Sequence, residues 1–465
     1  MATTRPNVVF VFADQMRGCD LGCAGNPDVH SPNLDRLSAE GVYFEHATSC
    51  IPVCTPARAC LLTARYPLST GMFLNDLQLS TRERTIAHAL SDDGYHTIYV
   101  GKWHLDGGNR FGFTPPGERR HGFQRWHALN CDHRDYFNPL YYEDSPTPIR
   151  PRRYCTDHET DRSIQLMAEH LESGADTPFA LFLSWSPPHN PYHQVPERWC
   201  DRYDPLRLNL PANTPDLEQT RHDLAGYYAH ISALDECVGK LTNWLESRDL
   251  FENTIFVFTS DHGDMHGAHG VQRKQWPWEE SVRVPLIVHW PREFPPQRCQ
   301  VLCNTVDIAP TLMSWIGCSP LAAADGSDLS SAIAGCEPGP TSVFLQVIAP
   351  FGEQRSTAWR AVRTRSHLYA RNCEGPWLLY DLEADPDQRN NIVNNGASGA
   401  IQAGLERELK MWLEQTEDPF LEPQSYLDRY GYQVEECSGA SVYTYDLDAP
   451  VAMVTARRRE DLGAS

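Results

Sequence analysis

The sequence predicts an α/β fold: a large, mostly parallel sheet sandwiched by helices, then a smaller C-terminal α+β subdomain with a short antiparallel sheet. Three observations carry this. Apolar runs alternate with amphipathic segments up to about residue 320. Periodicity fades across Ala322 to Pro340, where Ala, Gly, Ser and Pro predominate. Beyond that stretch, short apolar runs follow one another with turns between them. The chain is therefore divided into residues 1–335 and 336–465.

Taken in order, Val8–Ala13, Thr97–Val100, Phe179–Trp185, Thr254–Thr259 and Val284–His289 read as strands. Pro32–Glu40, Thr85–Ser91 and Glu159–Glu172 read as helices. Leu224, Tyr228, Ile231, Leu234, Val238, Leu241 and Leu245 recur at helical spacing, so Asp223–Ser247 is a long helix with one buried face. In the second part Ser342–Ile348, Trp359–Thr364, His367–Ala370 and Trp377–Tyr380 read as strands, followed by a helix at Ile401–Glu414. Arg457 to Ser465 reads as a solvated tail.

Composition narrows the function. With 41% hydrophobic and 22% charged residues the chain is neither disordered nor fibrous. Forty basic against 61 acidic side chains leave a formal charge of −21, which disfavours nucleic acid and anionic membrane as partners. Any anionic substrate needs a local cationic pocket. Met1 to Asn7 is short and polar, and Val8–Ala13 is too brief for a signal-peptide core or a membrane span. Fifteen cysteines, an odd number in no repeating framework, suit reduced thiols, so a cytoplasmic location is expected. The acidic surface and the segment after Asp418 are compatible with a homo-oligomer, although no apolar stripe demands one.

In open parallel sheets ligands bind beyond the carboxyl ends of the strands, so polar residues that follow apolar runs share one rim. Val8–Ala13 delivers Asp14 and Gln15; Thr97–Val100 delivers Lys102 and His104; Phe179–Trp185 leads to His189; Thr254–Thr259 delivers Asp261 and His262. Asp14, Gln15, Asp261 and His262 form a candidate divalent-cation site, completed by residue 54 or a substrate oxygen. Their oxygen donors suit Ca²⁺ first, and Mg²⁺ or Mn²⁺ next. Singly, an aspartate after a strand is as readily a helix or turn cap. Two of them, each followed by a further donor, favour the metal.

Thr55-Pro56 opens a helix that continues from Ala57 to Arg65, with Pro56 at its first position, so Cys54 sits at a helix N-terminus. Arg58 lies one turn in, placed to hold a nucleophile or a charged oxygen. Cys50 and Cys60 read as buried fillers. Lys102, His104, His189 and Lys274 supply cations and proton carriers for a reaction that puts charge on transferring and leaving oxygens. Lys274 rests on less, because it lies in a loop rather than at a strand end. Asp264, His266 and His269 crowd the same loop and rank below these, as supporting or substrate-facing groups.

These residues together resemble the type I, formylglycine-dependent sulfatases of the alkaline-phosphatase-like superfamily. Cys54-Thr-Pro-Ala-Arg58, continuing through Leu61 to Arg65, is similar to the family signature, and Pro6 to Asp14 to its N-terminal metal strand. Further matches are Gly101 to His104, Pro188-His189, Asp261 to Asp264, Lys274, Glu280 to Pro285, Asp307 to Thr311, Leu379 to Leu382 and Asp385-Pro386. The resemblance implies that Cys54 is oxidised to formylglycine by a formylglycine-generating enzyme, and that the hydrated aldehyde attacks sulfur. It implies that His189 or Lys274 protonates the leaving alcohol, that His104 assists sulfate release, and that Arg58, Lys102, Lys274 and a divalent cation neutralise sulfate oxygens.

Three features depart from the pattern. Gln15 stands where many members have a second aspartate, Ala57 and Ala64 replace the frequent Ser and Gly, and the export leader of many polysaccharide-cleaving relatives is missing. A small imported sulfate ester or sugar sulfate is therefore expected as substrate. Two alternatives stay open: a phosphonate or phosphate ester hydrolase of the same superfamily, and a non-catalytic binder of sulfated ligands in which Cys54 is never oxidised. Arg110, His133, Arg153, His158 and His193 lie in loops and are candidates to face the leaving group.

Overall fold

The computed structural model describes residues 5–351, 356–437 and 440–444, so the tail expected at Arg457 to Ser465 lies outside the described residues. The first ten strands are β1 (Asn7–Asp14), β2 (Val42–Phe44), β3 (Ala47–Thr48), β4 (His96–Lys102), β5 (Arg125–Leu129), β6 (Phe179–Pro188), β7 (Thr254–Ser260), β8 (Leu286–His289), β9 (Gln297–Cys299) and β10 (Cys303–Asn304). The helices are α1 (Pro32–Glu40), α2 (Cys54–Thr63), α3 (Pro67–Thr70), α4 (Ile86–Asp92), α5 (Cys155–Glu172), α6 (Glu197–Cys200), α7 (Glu218–Ser247), α8 (Glu279–Val282), α9 (Thr305–Trp315), α10 (Ser330–Ile333), α11 (Gly399–Gln415) and α12 (Pro423–Tyr430).

Eight strands make one sheet in the order β5-β4-β6-β1-β7-β8-β2-β9. β1 lies at its centre, and all eight of its residues are buried. Successive side chains of a strand point to opposite faces. Val8, Phe10 and Phe12 accordingly join one core, with Leu61, Leu62, Ile86, Leu90 and Leu312 of α2, α4 and α9. Val9, Val11 and Ala13 join the other, with Leu34 of α1, Leu166 of α5 and Leu224, Ile231 and Leu234 of α7. Burial on both faces explains why these strands are continuous apolar runs rather than alternating ones.

The sheet is less uniform than the sequence suggests. β5, β4, β6, β1 and β7 run parallel, but β8 is antiparallel to both β7 and β2. Three strands went unrecognised. β2 and β9 have three residues each, too few for a period, and β5 at the sheet edge mixes Arg125 and His127 with its apolar residues. The helix at the signature also differs. It begins at Cys54 itself, so Pro56 is its third residue, where a missing N–H removes no helical hydrogen bond. It stops at Thr63, because Ala64 takes a left-handed φ of 57°. α5 and α7 start earlier than expected, at Cys155 and Glu218.

The C-terminal region adds β11 (Val343–Val347), β12 (Trp359–Arg363), β13 (His367–Asn372) and β14 (Gly375–Asp381), an antiparallel sheet in that order. One face packs Phe344, Val362, Tyr369 and Leu379 against Leu405 and Leu409 of α11 and against Val53, Ala57 and Cys60 of the signature region. The opposite face packs Val343, Leu345 and Trp359 against Met265, Trp278 and Val282. This sheet therefore supports both the helix that carries Cys54 and the loop that carries Lys274.

Candidate active site

β1 and β7 are parallel neighbours with Ala13 opposite Ser260, so the residues that follow, Asp14 and Asp261, emerge side by side at one sheet edge. Gln15 turns away at a left-handed φ of 70°, with its N–H donated to Asp261 Oδ1 at 3.0 Å. Arg58 of α2 reaches under both carboxylates: Nη2 donates to Asp14 Oδ2 and Nε to Asp261 Oδ2, each at 3.0 Å. Its Nη1 donates to the Lys102 carbonyl at 2.9 Å and to Ser184 Oγ at 2.6 Å. The guanidinium, 1% exposed, thus joins four elements and balances the two aspartates.

Cys54 is 2% exposed. Lys274 Nζ lies 2.7 Å from its Sγ, and His262 Nε2 lies 3.2 Å from it. His262 donates Nδ1–H to the Gly263 carbonyl at 2.9 Å, which leaves the Nε2 lone pair on the side of Cys54, Asp261 Oδ1 at 3.7 Å and Asp14 Oδ1 at 3.9 Å. Ligand atoms of Asp14, Cys54, Asp261 and His262 all fall within 4.8 Å of one another. Two carboxylates, an imidazole lone pair and the Gln15 amide oxygen form a donor set that fits a divalent cation.

Gly101, at φ 102°, brings β4 close to β6: a Cβ there would meet the Ser184 carbonyl at 2.0 Å. The next residue, Lys102, ends β4 with Nζ on Asp14 Oδ2 and 2.9 Å from His133 Nε2. His104 Nε2 sits 3.0 Å from Asp76 Oδ1, while its Nδ1 has no hydrogen-bond partner among the described residues. His189 follows β6, donates Nδ1–H to the Asn190 carbonyl at 2.8 Å, and stacks on His133 with ring centroids 4.0 Å apart.

Charge and burial compete throughout. Burial alone pushes the Cys54 thiol up, but Lys102, Lys274 and His262 outweigh it and hold the thiol well below its ordinary value. Burial and Cys54 also raise Asp14, yet Lys102, His189 and Arg58 keep it below the usual carboxylate range. Asp261 is pushed up by burial and by Asp14. Burial, helped by Lys274, lowers His189 to about 4. Against burial, Cys131 and Asp76 lift His104 to about 10.

The structure thus gathers Asp14, Gln15, Cys54, Arg58, Lys102, His104, His189, Asp261, His262 and Lys274 at one edge of the sheet. Lys274, the residue with the weakest claim from sequence, is the cation on Cys54. Among the loop candidates, His133 joins the site and Arg110 approaches it through Asp76, which it binds with Nε at 2.8 Å and Nη2 at 2.6 Å. The other three lie elsewhere: Arg153 pairs with Asp161 at 2.8 Å, His158 with His127 at 2.9 Å, and His193 is exposed. Asp264 and His266 lie behind Gln15, whereas His269 stacks on Trp278 at 4.2 Å. Asp76 and Cys131 were missed, because neither ends an apolar run.

The Sulfatase family model matches residues 6–318, and the model for the N-sulphoglucosamine sulphohydrolase C-terminal region matches residues 267–415. An ulvan-active sulfatase of Formosa agariphila is 40% identical over 439 residues, covering 92% of this chain and 85% of that protein. Among solved structures, a Bacteroides fragilis protein bearing the sulfatase name yidJ is 31% identical, with a TM-score of 0.82 over 92% of this chain and 98% of that one. A second structure, from a protein bound to its substrate D-glucosamine-2-N,6-O-disulfate, shares the fold. Its TM-score is 0.80 at 23% identity, over 89% of this chain and 99% of that one.

Proposed function

Because the chain belongs to the sulfatase family, has its alkaline-phosphatase-like fold and is a sulfuric ester hydrolase, we propose that it releases sulfate from a sulfated carbohydrate, with Cys54 as the precursor of the nucleophile. One observation carries the assignment of the nucleophile. Cys54 Sγ is 2.7 Å from Lys274 Nζ and 3.2 Å from His262 Nε2, within the Asp14 and Asp261 cluster.

Conversion of Cys54 to formylglycine by a formylglycine-generating enzyme supplies an aldehyde whose hydrate is an oxygen nucleophile. A divalent cation, Ca²⁺ by the count of oxygen donors, fits Asp14, Gln15, Asp261 and His262 and supplies charge neutralisation to sulfate oxygens. The chain's own groups do the rest. Lys274 holds positive charge beside residue 54, and Lys102, tied to Asp14 and His133, holds a second. His189 keeps Nδ1–H on the Asn190 carbonyl and, lowered to about 4, presents an unprotonated Nε2 that accepts from the reacting group, so the ammonium of Lys274 is the group that delivers a proton to the leaving alcohol. His104 is anchored through Nε2 on Asp76 and, lifted to about 10, is protonated, so its Nδ1–H is the donor that assists sulfate release by offering positive charge and a hydrogen bond beside residue 54. Arg58 keeps the two aspartates in place from behind.

A sulfated sugar fits the names of the relatives better than a choline-like ester does. A cytoplasmic site of action is part of the same reading, supported by fourteen described cysteines that are all free. The test is sulfate release from sulfated mono- and oligosaccharides, aryl sulfate, choline sulfate and an aryl phosphonate, beside mass spectrometry of the tryptic peptide that contains residue 54. Formylglycine in that peptide, with sulfated sugar turned over fastest and activity abolished in Cys54→Ala and Cys54→Ser, is the expected result. Faster turnover of the phosphonate, or an unmodified and inactive protein from its native host, sinks the proposal.

A further inference from the structure

We propose that Asp264 is a positioning residue that turns the Gln15 amide oxygen toward Lys274 and residue 54, so that glutamine at 15 and aspartate at 264 form a matched pair. Both side chains are fully buried. Gln15 Nε2 donates to Asp264 Oδ2, and the hydroxyl of Tyr192 donates to the same oxygen. Asp264 Oδ1 accepts the His266 backbone N–H at 3.1 Å, and Arg273 Nη1 holds the Tyr192 hydroxyl at 2.9 Å. On the opposite side, Gln15 Oε1 accepts from Lys274 Nζ at 3.0 Å, the same nitrogen that lies 2.7 Å from Cys54 Sγ.

A carboxylate only accepts and an ammonium only donates, so an amide between the two has a single orientation. The backbone leaves it no other place to go: the Gln15 N–H is held by Asp261 Oδ1 and its carbonyl by the Tyr227 hydroxyl, each at 3.0 Å. A carboxylate at position 15 would keep an oxygen toward Lys274 but would set a second oxygen against Asp264 in a dry interior. Only an amide offers an acceptor on one side and a donor on the other. The departure of Gln15 from aspartate is thereby tied to the presence of Asp264.

The use of that oxygen as a cation ligand rests on the proposed function; its orientation does not. The experiment is a double-mutant cycle of Gln15→Glu, Asp264→Asn and the combination. The first places two carboxylates face to face, and the second places two amides face to face, with the orientation of each no longer dictated by the other. The combination restores the pair in reverse: the amide now sits at position 264 and donates to a carboxylate at position 15, with the total charge unchanged. The readouts are the thermal midpoint of the metal-free protein and calcium affinity by titration calorimetry.

Each single change lowers the midpoint, and the combination recovers at least about half of the summed loss. Asp264→Asn weakens calcium binding by about tenfold, and the combination restores it. Losses that simply add overturn the pairing. Where Gln15→Glu does not fold, a Gln15→Met background leaves no amide to orient, so Asp264→Asn weakens calcium binding no further there; an additional loss overturns the proposal. If the unmodified chain takes up no calcium, the cation reading fails by itself, and the midpoint cycle still judges the pair.

Discussion

Asp76 holds two neighbours at once, His104 through one oxygen and Arg110 through both, and it adopts a left-handed φ of 61° to do so. Its loss frees the imidazole to rotate. Asp76→Ala is therefore expected to lower kcat by roughly a hundredfold with little change in KM, as read by initial rates on the best sulfated sugar. An unchanged kcat would remove Asp76 from the machinery. Residues of this kind show where reading a sequence stops. Asp14, Lys102, His189 and Asp261 were legible because each closes an apolar run that must become a buried strand. Asp76 and Cys131 sit in loops whose conformation no periodicity reports, and His133, also in a loop, was legible only as a candidate to face the leaving group. Gln15 was legible as a candidate ligand, but its hydrogen-bond partner Asp264 lies 249 residues away.

The elements carry stability that the site uses. α5 buries Glu159, whose Oε1 accepts the Tyr141 hydroxyl at 2.7 Å while Oε2 has no partner among the described residues. Burial pushes its carboxyl up to about 8. An unfolded glutamate titrates near 4.5, so between that value and about 8 the unfolded chain releases a proton the folded one retains. The contribution of Glu159 to stability is therefore complete at acid pH, declines as pH rises through this window, and is flat above it. Thermal midpoints measured from pH 5 to pH 8 (roughly the interval concerned) should show Glu159→Gln gaining on the unmodified chain as pH rises; parallel curves would refute this. α9 opens with a capping box in which Asn304 and Asp307 exchange hydrogen bonds, and Asn304 Nδ2 also donates to the Phe344 carbonyl at 2.7 Å. Asn304→Ala should cost about 2 kcal/mol in chemical denaturation, more than a cap alone, because it also cuts the tie to the small sheet. Element type was legible for long apolar runs and for α7. Strand direction was not: β8 is an apolar run like the parallel strands β4, β6, β1 and β7, and only its pairing with β7 and β2 makes it antiparallel.

At the scale of the molecule, a chain of formal charge −21 folds its cations inward where an anion must be met. The sheet β11 to β14 is part of that arrangement, since it backs α2 on one face and the loop of Lys274 on the other. We propose 1–335 and 336–465 as the two parts of the chain, and expect the first to fail alone. Expressed without its successor, 1–335 would expose Val53, Ala57 and Met265, so circular dichroism and proteolysis should show a collapsed or aggregated product. A soluble, cooperative 1–335 would contradict this. The depth of Cys54 has a consequence for biosynthesis. Under the proposed function, a side chain only 2% exposed in the finished fold is beyond the grip of a second enzyme, so its oxidation is expected while the polypeptide is still open. Treating the native thiol form with the maturing enzyme should yield nothing, whereas treating the denatured chain and then refolding it should yield activity, the outcome expected of a covalent edit that must precede closure of the tertiary structure.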